Sequence, residues 1–156
     1  MSKKVFTVDE IKRKIEFYCV YQDRCHKDVE KKLRDYNLIP EAREYILLHL
    51  LEHNFLNEER FSKSFARGKF RIKKWGKQRI VRELKQREIS SYNIKTALKE
   101  IDEQDYIATL YCLIEKKNNF SSETNLLKKK KKIIDHLLYK GFETNLIFEA
   151  VNEVVI

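Results

Sequence analysis

Several groups of residues in this 156-residue chain have types that chemistry could use, and their spacing decides which of them do. His49-Leu50-Leu51-Glu52-His53 is an H-x-x-E-H run that sets two imidazoles one helical turn apart, the arrangement a zinc ion needs. It has no identifiable third ligand, and Ile46 and Leu50 give the same stretch a plain packing role, so no metal is expected there. Cys19, Cys25 and His26 do not follow zinc-finger spacing, and no second pair completes them. Gly68 and Gly76-Lys77 lie too far apart for a phosphate loop, and neither Ser nor Thr follows the lysine. Asn119-Phe120-Ser121 fits the glycosylation triplet, which has no meaning in a cytosolic chain. The acids spread over helix surfaces with no pair singled out. No catalytic constellation results, so the expectation is a binding protein without enzymatic activity or cofactor.

The residues that do concentrate are basic. Arg67, Lys69, Arg71, Lys73, Lys74, Lys77, Arg79, Arg82, Lys85 and Arg87 fall within 21 residues that contain one acid, Glu83. That segment carries the whole formal net charge of +9, since the remainder balances at 23 basic and 23 acidic residues. Such a concentration points to an anionic partner surface, either protein or nucleic acid. Arginine binds carboxylate or phosphate through two parallel hydrogen bonds. Trp75 could stack on a base, pack into a partner, or close the interface between two helices. The Lys128–Lys132 run is more conspicuous and less informative, because five consecutive residues cannot share one helical face. It reads as a solvated helix start that adds general electrostatic attraction.

Helices must position these residues. Thr7 is placed to cap a first helix, with Glu10 three residues on and Ile11 and Ile15 at i,i+4 spacing. A second helix is expected over Lys27–Tyr36, with Val29 and Leu33 inward, and Pro40 suits the first turn of a third carrying Ile46, Leu47, Leu50 and Leu51. The next starts near Asn57, with Phe61, Phe65, Gly68 and Ile72 on one stripe and Arg60, Arg67, Arg71 and Lys74 opposite. Trp75-Gly76 reads as a break. A helix from Lys77 then turns Ile80 and Leu84 inward and Arg79, Arg82 and Gln86 away. Ser90 or Ser91 caps a short helix bearing Ile94, Ala97, Leu98 and Ile101. Ile107, Leu110, Tyr111 and Ile114 stripe another, residues 118–125 read as a polar loop, and helices over Leu127–Tyr139 (ended by Gly141) and Glu143–Val154 follow.

The pattern repeats. Val29, Leu33, Leu38, Ile46 and Leu50 recur 51 residues on as Ile80, Leu84, Ile89, Ala97 and Ile101, and 53 further on as Ile133, Leu137, Phe142, Ala150 and Val154. Internal spacing is identical and all fifteen positions are apolar. The expectation is an all-α chain of three tandem three-helix repeats, helix-turn-helix-like, in an elongated array: 1–55, 56–101 (basic and central) and 102–156. Each unit is too small to bury much alone and leans on its neighbours. Composition agrees, for three glycines and one proline are too few to punctuate an all-β protein. No apolar run approaches the roughly 18–20 residues of a membrane span, and Met1–Glu16 lacks the apolar segment of a secretory signal. Three widely spaced cysteines form no disulfide framework, so cytoplasmic residence with reduced thiols is expected. The chain is separately expected to be a monomer.

Leu56-Asn57-Glu58-Glu59-Arg60-Phe61, then Arg67, then Trp75-Gly76-Lys77-Gln78-Arg79-Ile80, then Glu83-Leu84 resemble, in order and spacing, the middle unit of RecX proteins. Leu33 with Leu38, and Leu137 with Gly141-Phe142, fit the leucine and turn positions of the outer units. The resemblance covers roughly residues 20–155 and is densest at 56–98. Arg87-Glu88-Ile89 departs from the family by lacking the glycine often found at that turn. What the resemblance implies is a regulator that binds the helical groove of the RecA–single-stranded DNA filament and inhibits its extension, ATP hydrolysis and strand exchange. The partners implied are the RecA filament and the single-stranded DNA within it, met by Arg60, Arg67, Arg71, Lys73, Lys74, Trp75, Lys77, Arg79 and Arg82. The alternative reading of the same residues is a helical nucleic-acid-binding module that acts on DNA directly.

Overall fold

A computed structural model describes residues 5–156; the first four residues of the stretch expected to lack a secretory signal lie outside it. The described residues form α1 (Val8–Tyr21), α2 (His26–Leu33), α3 (Pro40–Glu52), α4 (Glu58–Arg71), α5 (Lys77–Gln86), α6 (Ser91–Leu98), α7 (Glu103–Phe120), α8 (Leu126–Lys140) and α9 (Thr144–Val154), and no strand. Local chemistry sets most of the boundaries. Side-chain oxygens of Thr7, Asn57, Ser90, Asp102 and Asn125 each accept a hydrogen bond from a backbone N–H of the first turn of their helix. Pro40 opens α3 and Gly141 closes α8 in the left-handed conformation, φ 98°.

The principal packing is within successive trios: α1 on α2 and α3, α4–α6 together, and α7–α9 together. The chain is therefore all-α with tandem helical repeats. Thirteen of the fifteen repeated apolar positions are fully buried, and the other two, Leu38 and Val154, are half-buried. Among the described residues no helix is long and apolar enough to cross a membrane.

Three boundaries and one stripe differ from expectation. Helix α2 stops at Leu33 because Asp35 and Tyr36 bond back to Lys32 and Leu33, tightening the last turn into an i→i+3 pattern that ends the helix. Helix α7 continues to Phe120: Asn119 is exposed there, while Asn118 is half-buried with its Oδ1 buried and unbonded among the described residues, so the polar pair does not end the helix. On α9 the helix proper begins at Thr144, with Glu143 as its N-cap. On α4 the buried residues are Phe61, Ser62, Ala66 and Phe70, not a stripe ending at Ile72, which is 79% exposed past the last turn. The small Ser62 and Ala66 let α6 approach α4 closely. Ser62 Oγ donates to Glu58 O at 2.6 Å, which removes the usual penalty for burying a hydroxyl.

The apolar core is unevenly divided. Ile11, Ile15, Cys19, Val29, Leu33, Ile46, Leu50 and Leu56 form one cluster inside the first trio. The second and third trios share a single continuous core, through the rings of Phe70, Tyr106 and Phe142, with centroid separations of 5.8 and 5.2 Å. Among the described residues the first trio contributes only Cys25 to that core. Its other links to the second are mostly polar: Asp23 with Arg60 at 2.8 Å, the His26 amide to Glu58 at 3.4 Å and Lys27 Nζ to Gln86 O at 2.9 Å.

Candidate functional site

Helix α5 is the centre of the basic segment, and backbone contacts with the third trio hold it in place. Its first N–H groups need acceptors. Gly76 N donates to Lys140 O at 2.7 Å and Gln78 N to Gly141 O at 2.9 Å, so the carbonyls at the end of α8 meet the amides at the start of α5. The dipoles of the two helices oppose favourably at this contact. Lys77 N donates to the Tyr106 hydroxyl at 2.9 Å, and that hydroxyl donates to a Glu143 carboxylate oxygen. Burial and the hydrogen bond to Glu143 push the Tyr106 phenol well above its ordinary range. Only glycine allows the backbones this close. A Cβ on Gly76 would sit 2.3 Å from the Gly141 carbonyl and the Phe142 amide, and one on Gly141 would sit 2.3 Å from Arg79 Cβ.

With α5 fixed, the basic side chains separate into two classes. Five of the nine candidate residues are engaged within the molecule. Arg60, half-buried, is paired with Asp23 and donates through Nη2 to Phe55 O at 3.2 Å, bridging the first two trios. Arg67 reaches Glu100, just past the end of α6, at 3.4 Å. Lys77 Nζ meets Glu103 at 2.8 Å. Arg79 does not point away from the protein. Its guanidinium lies 4.2 Å from the Trp75 ring and 4.7 Å from the Tyr139 ring, and donates to Tyr139 O at 3.3 Å. Trp75 is half-buried, edge-on to Phe65 at 6.2 Å, with Lys69 over its ring at 5.0 Å. It closes the α4–α5 corner.

The remaining four candidates, Arg71, Lys73, Lys74 and Arg82, are exposed and their side-chain cations have no ion-pair partner among the described residues. Lys85, absent from the sequence-derived set, joins them. These five form two patches. Arg71, Lys73 and Lys74 lie at the turn after α4, where Lys74 takes a left-handed backbone (φ 58°) and Lys140 Nζ donates to Lys73 O at 2.8 Å. Arg82 and Lys85 lie on the outer face of α5 beside Gln78 and Val81, at i, i+3, i+4 and i+7 spacing. Phosphate or carboxylate is the natural counter-charge for either patch.

The other chemical candidates have ordinary roles. His49 Nε2 lies 2.6 Å from Glu16 Oε1, and His53 Nδ1 lies 2.9 Å from His49 O, so each imidazole holds two helices or one turn together. Cys19 and Cys25 are buried, and burial pushes both thiols up to about 11; Cys112 is exposed. The Lys128–Lys132 run lies on the solvated start of α8, where Lys130 reaches Asn152, Lys131 reaches Asp135 and Lys132 reaches Glu123.

Sequence reasoning missed Tyr106 and Glu143, the pair that receives the start of α5. Tyr106 lies four residues before Leu110 and eight before Ile114, so its place on the buried stripe was available from spacing.

The chain matches the family model of the second three-helix domain of RecX over residues 57–98 and that of the third three-helix domain of RecX over residues 103–151. It is 30% identical over 139 residues to the regulatory protein RecX of Enterococcus faecalis, covering 88% of this chain and 52% of that one. With the regulatory protein RecX of Bacillus cytotoxicus it shares 25% identity over 137 residues, 88% of this chain and 51% of that one. The chain thus spans about half the length of the curated relatives it matches. In fold it is similar to the crystal structure of RecX from Lactobacillus salivarius, with a TM-score of 0.82 at 24% identity, over 94% of this chain and 96% of that one.

Proposed function

Since the chain belongs to the RecX family, we propose that it regulates the RecA recombinase by binding the RecA–single-stranded DNA filament and inhibiting its extension, ATP hydrolysis and strand exchange. The observation that carries this reading is the set of five exposed cations, Arg71, Lys73, Lys74, Arg82 and Lys85, without ion-pair partners among the described residues, on the central trio of a chain whose relatives are regulatory proteins. A nucleoprotein filament offers both kinds of counter-charge they need, carboxylate on protein and phosphate on DNA. The same reading divides the chain into repeats at 1–55, 56–101 and 102–156, a division supported by the helix caps at Asn57 and Asp102. It acts as a cytoplasmic monomer.

The test is RecA-dependent ATP hydrolysis on single-stranded DNA with the purified protein titrated in. Inhibition by the parent protein, relieved in a variant with Arg71, Lys74, Arg82 and Lys85 all changed to Glu, is the expected result. A parent protein without effect on hydrolysis or filament length overturns the proposal. Direct action on DNA would show instead as tight binding to naked DNA that falls steeply with salt, with no added affinity from RecA.

A further inference from the structure

The outer face of α5 borders a groove of about 740 Å³ lined by Lys77, Gln78, Val81, Arg82, Lys85 and Gln86, with Glu143 at one end. The groove is shallow and open to solvent, a shape for an extended segment rather than an enclosed small ligand. We infer that this groove takes an acidic protein segment carrying an apolar side chain, while the separate patch at Arg71, Lys73 and Lys74 is left for phosphate. The inference rests on the filament reading above and divides its basic surface between two kinds of partner chemistry.

The lining decides between peptide and nucleic acid. The groove lining is mainly apolar: Val81 is half-buried there beside Lys77, Arg82 and Lys85, long side chains whose methylenes supply apolar surface behind their charges. An apolar side chain of a peptide would displace water from this lining, and its neighbouring carboxylates would meet the Arg82 and Lys85 cations. Single-stranded nucleic acid is held by cationic grooves with aromatic platforms for its bases. No aromatic residue lines this groove, and the nearby Trp75 is turned into Phe65 and Arg79. Gln78 and Gln86 supply amides that both donate and accept, which suits a peptide backbone better than an acceptor-only phosphodiester.

The groove walls are held firm. Helix α5 is bonded to the end of α8 at its start, and its last carbonyl accepts from Lys27 Nζ at 2.9 Å. A ligand would therefore meet a preformed face.

The experiment places p-benzoylphenylalanine at Gln78, at Gln86 or, as reference, at Lys74 in the full chain, and irradiates each with RecA filaments on oligodeoxythymidine. The expected result is protein adducts from the Gln78 and Gln86 positions, mapping by mass spectrometry to one Asp/Glu-rich segment, and DNA adducts from Lys74. Filament binding with DNA adducts from Gln78 and Gln86, with adducts to a segment without acids, or with none from either, overturns the inference and leaves the filament reading standing. Absence of filament binding by the parent protein overturns both. Charge reversal supplies a second readout: Arg82→Glu with Lys85→Glu is expected to weaken filament binding tenfold or more, as loss of charge-assisted contacts implies. Unchanged affinity in that variant also refutes the groove.

Discussion

Replacing Gly76 with alanine tests the contact that sets α5 against the third trio. The added Cβ would lie 2.3 Å from the Gly141 carbonyl carbon and oxygen and from the Phe142 amide nitrogen, all backbone atoms with no flexible end to swing aside. Relief requires α5 and the α8–α9 turn to separate, which lengthens the bonds from Gly76 N to Lys140 O (2.7 Å) and from Gln78 N to Gly141 O (2.9 Å). Overpacking of a tight site costs about 1–3 kcal/mol. Each buried hydrogen bond left unmade adds about 1–3 kcal/mol. Partial relaxation makes a total of about 3–5 kcal/mol the expected loss, a third or more of the stability of a typical domain. At about 2–4 °C per kcal/mol for a chain of this size, the melting temperature should fall by roughly 6–20 °C. Gly68→Ala is the control, because nothing lies within 4 Å of its added methyl and the site is inside α4. It should stabilise the protein by about 1 kcal/mol through helix propensity alone. Urea unfolding followed by circular dichroism and by the fluorescence of Trp75, the single tryptophan, reads both variants. A Gly76→Ala protein within 1 kcal/mol of its parent would refute the claim that backbone contact at this point fixes α5.

Tyr106→Phe removes the hydroxyl that receives Lys77 N and donates to Glu143, and should cost about 1–3 kcal/mol at neutral pH. Because the folded protein holds the Tyr106 proton more tightly than the unfolded chain, its contribution is complete below pH 10 and is lost as pH rises above it. Equilibrium unfolding between pH 9 and 11 should show the parent losing stability faster than Tyr106→Phe; parallel curves would count against the assignment. Glu88 occupies a left-handed conformation, φ 60°, at the turn where the family often has glycine. Glu88→Gly should raise stability by about 0.5–1 kcal/mol, since relief of backbone strain exceeds the added unfolded-state entropy, and a lower midpoint in denaturant would contradict this. A thiol reagent should label Cys112 at once, and Cys19 and Cys25 only on opening of the structure. Three thiols reacting together in the native protein would be inconsistent with the described core.

The sequence made legible whatever depends on near neighbours. The cap at Thr7, the helix start near Asn57, the cap at Ser90 (one of the two serines that fit), the helix start at Pro40 and the stop at Gly141 depend on interactions across a few residues, and each is present. Apolar periodicity identified the repeat because burial at positions such as Ile80, Leu84, Ile133 and Leu137 is a property of one helix face. What was misread depends on partners far along the chain. Arg60 and Arg67 seem free on a helical wheel, and only the fold brings Asp23 and Glu100 to them. Ser62 counts as polar in a pattern of hydrophobicity, yet packing of α6, roughly thirty residues on, buries it as a small spacer, with its hydroxyl satisfied locally by Glu58 O, and the buried stripe shifts away from Ile72. The same wheel argument turns Arg79 outward, whereas the fold brings Tyr139 of the third trio to it and holds its guanidinium between that ring and Trp75.

Helices α1, α2, α3, α4 and α7 carry acids in their first turns, where the helix dipole favours negative charge; α5, like α6, α8 and α9, has none, and it begins with the cations Lys77 and Arg79. Along its length Arg82 and Lys85 are like charges three residues apart, a pairing that costs a few tenths of a kcal/mol. The cost at the helix start is offset by the carbonyls of Lys140 and Gly141, the Tyr106 hydroxyl and the Glu103 carboxylate, all from the third trio. No such compensation reaches Arg82 or Lys85 among the described residues. Folding therefore stabilises the end of α5 that is tied to the rest of the molecule and leaves the repulsion on its outer face unrelieved. Sequences that break a local rule without an internal return do so most often where something external supplies it. A partner bearing carboxylates would relieve that repulsion on binding, and the unpaired face of α5 is where the energy to hold it would be gained.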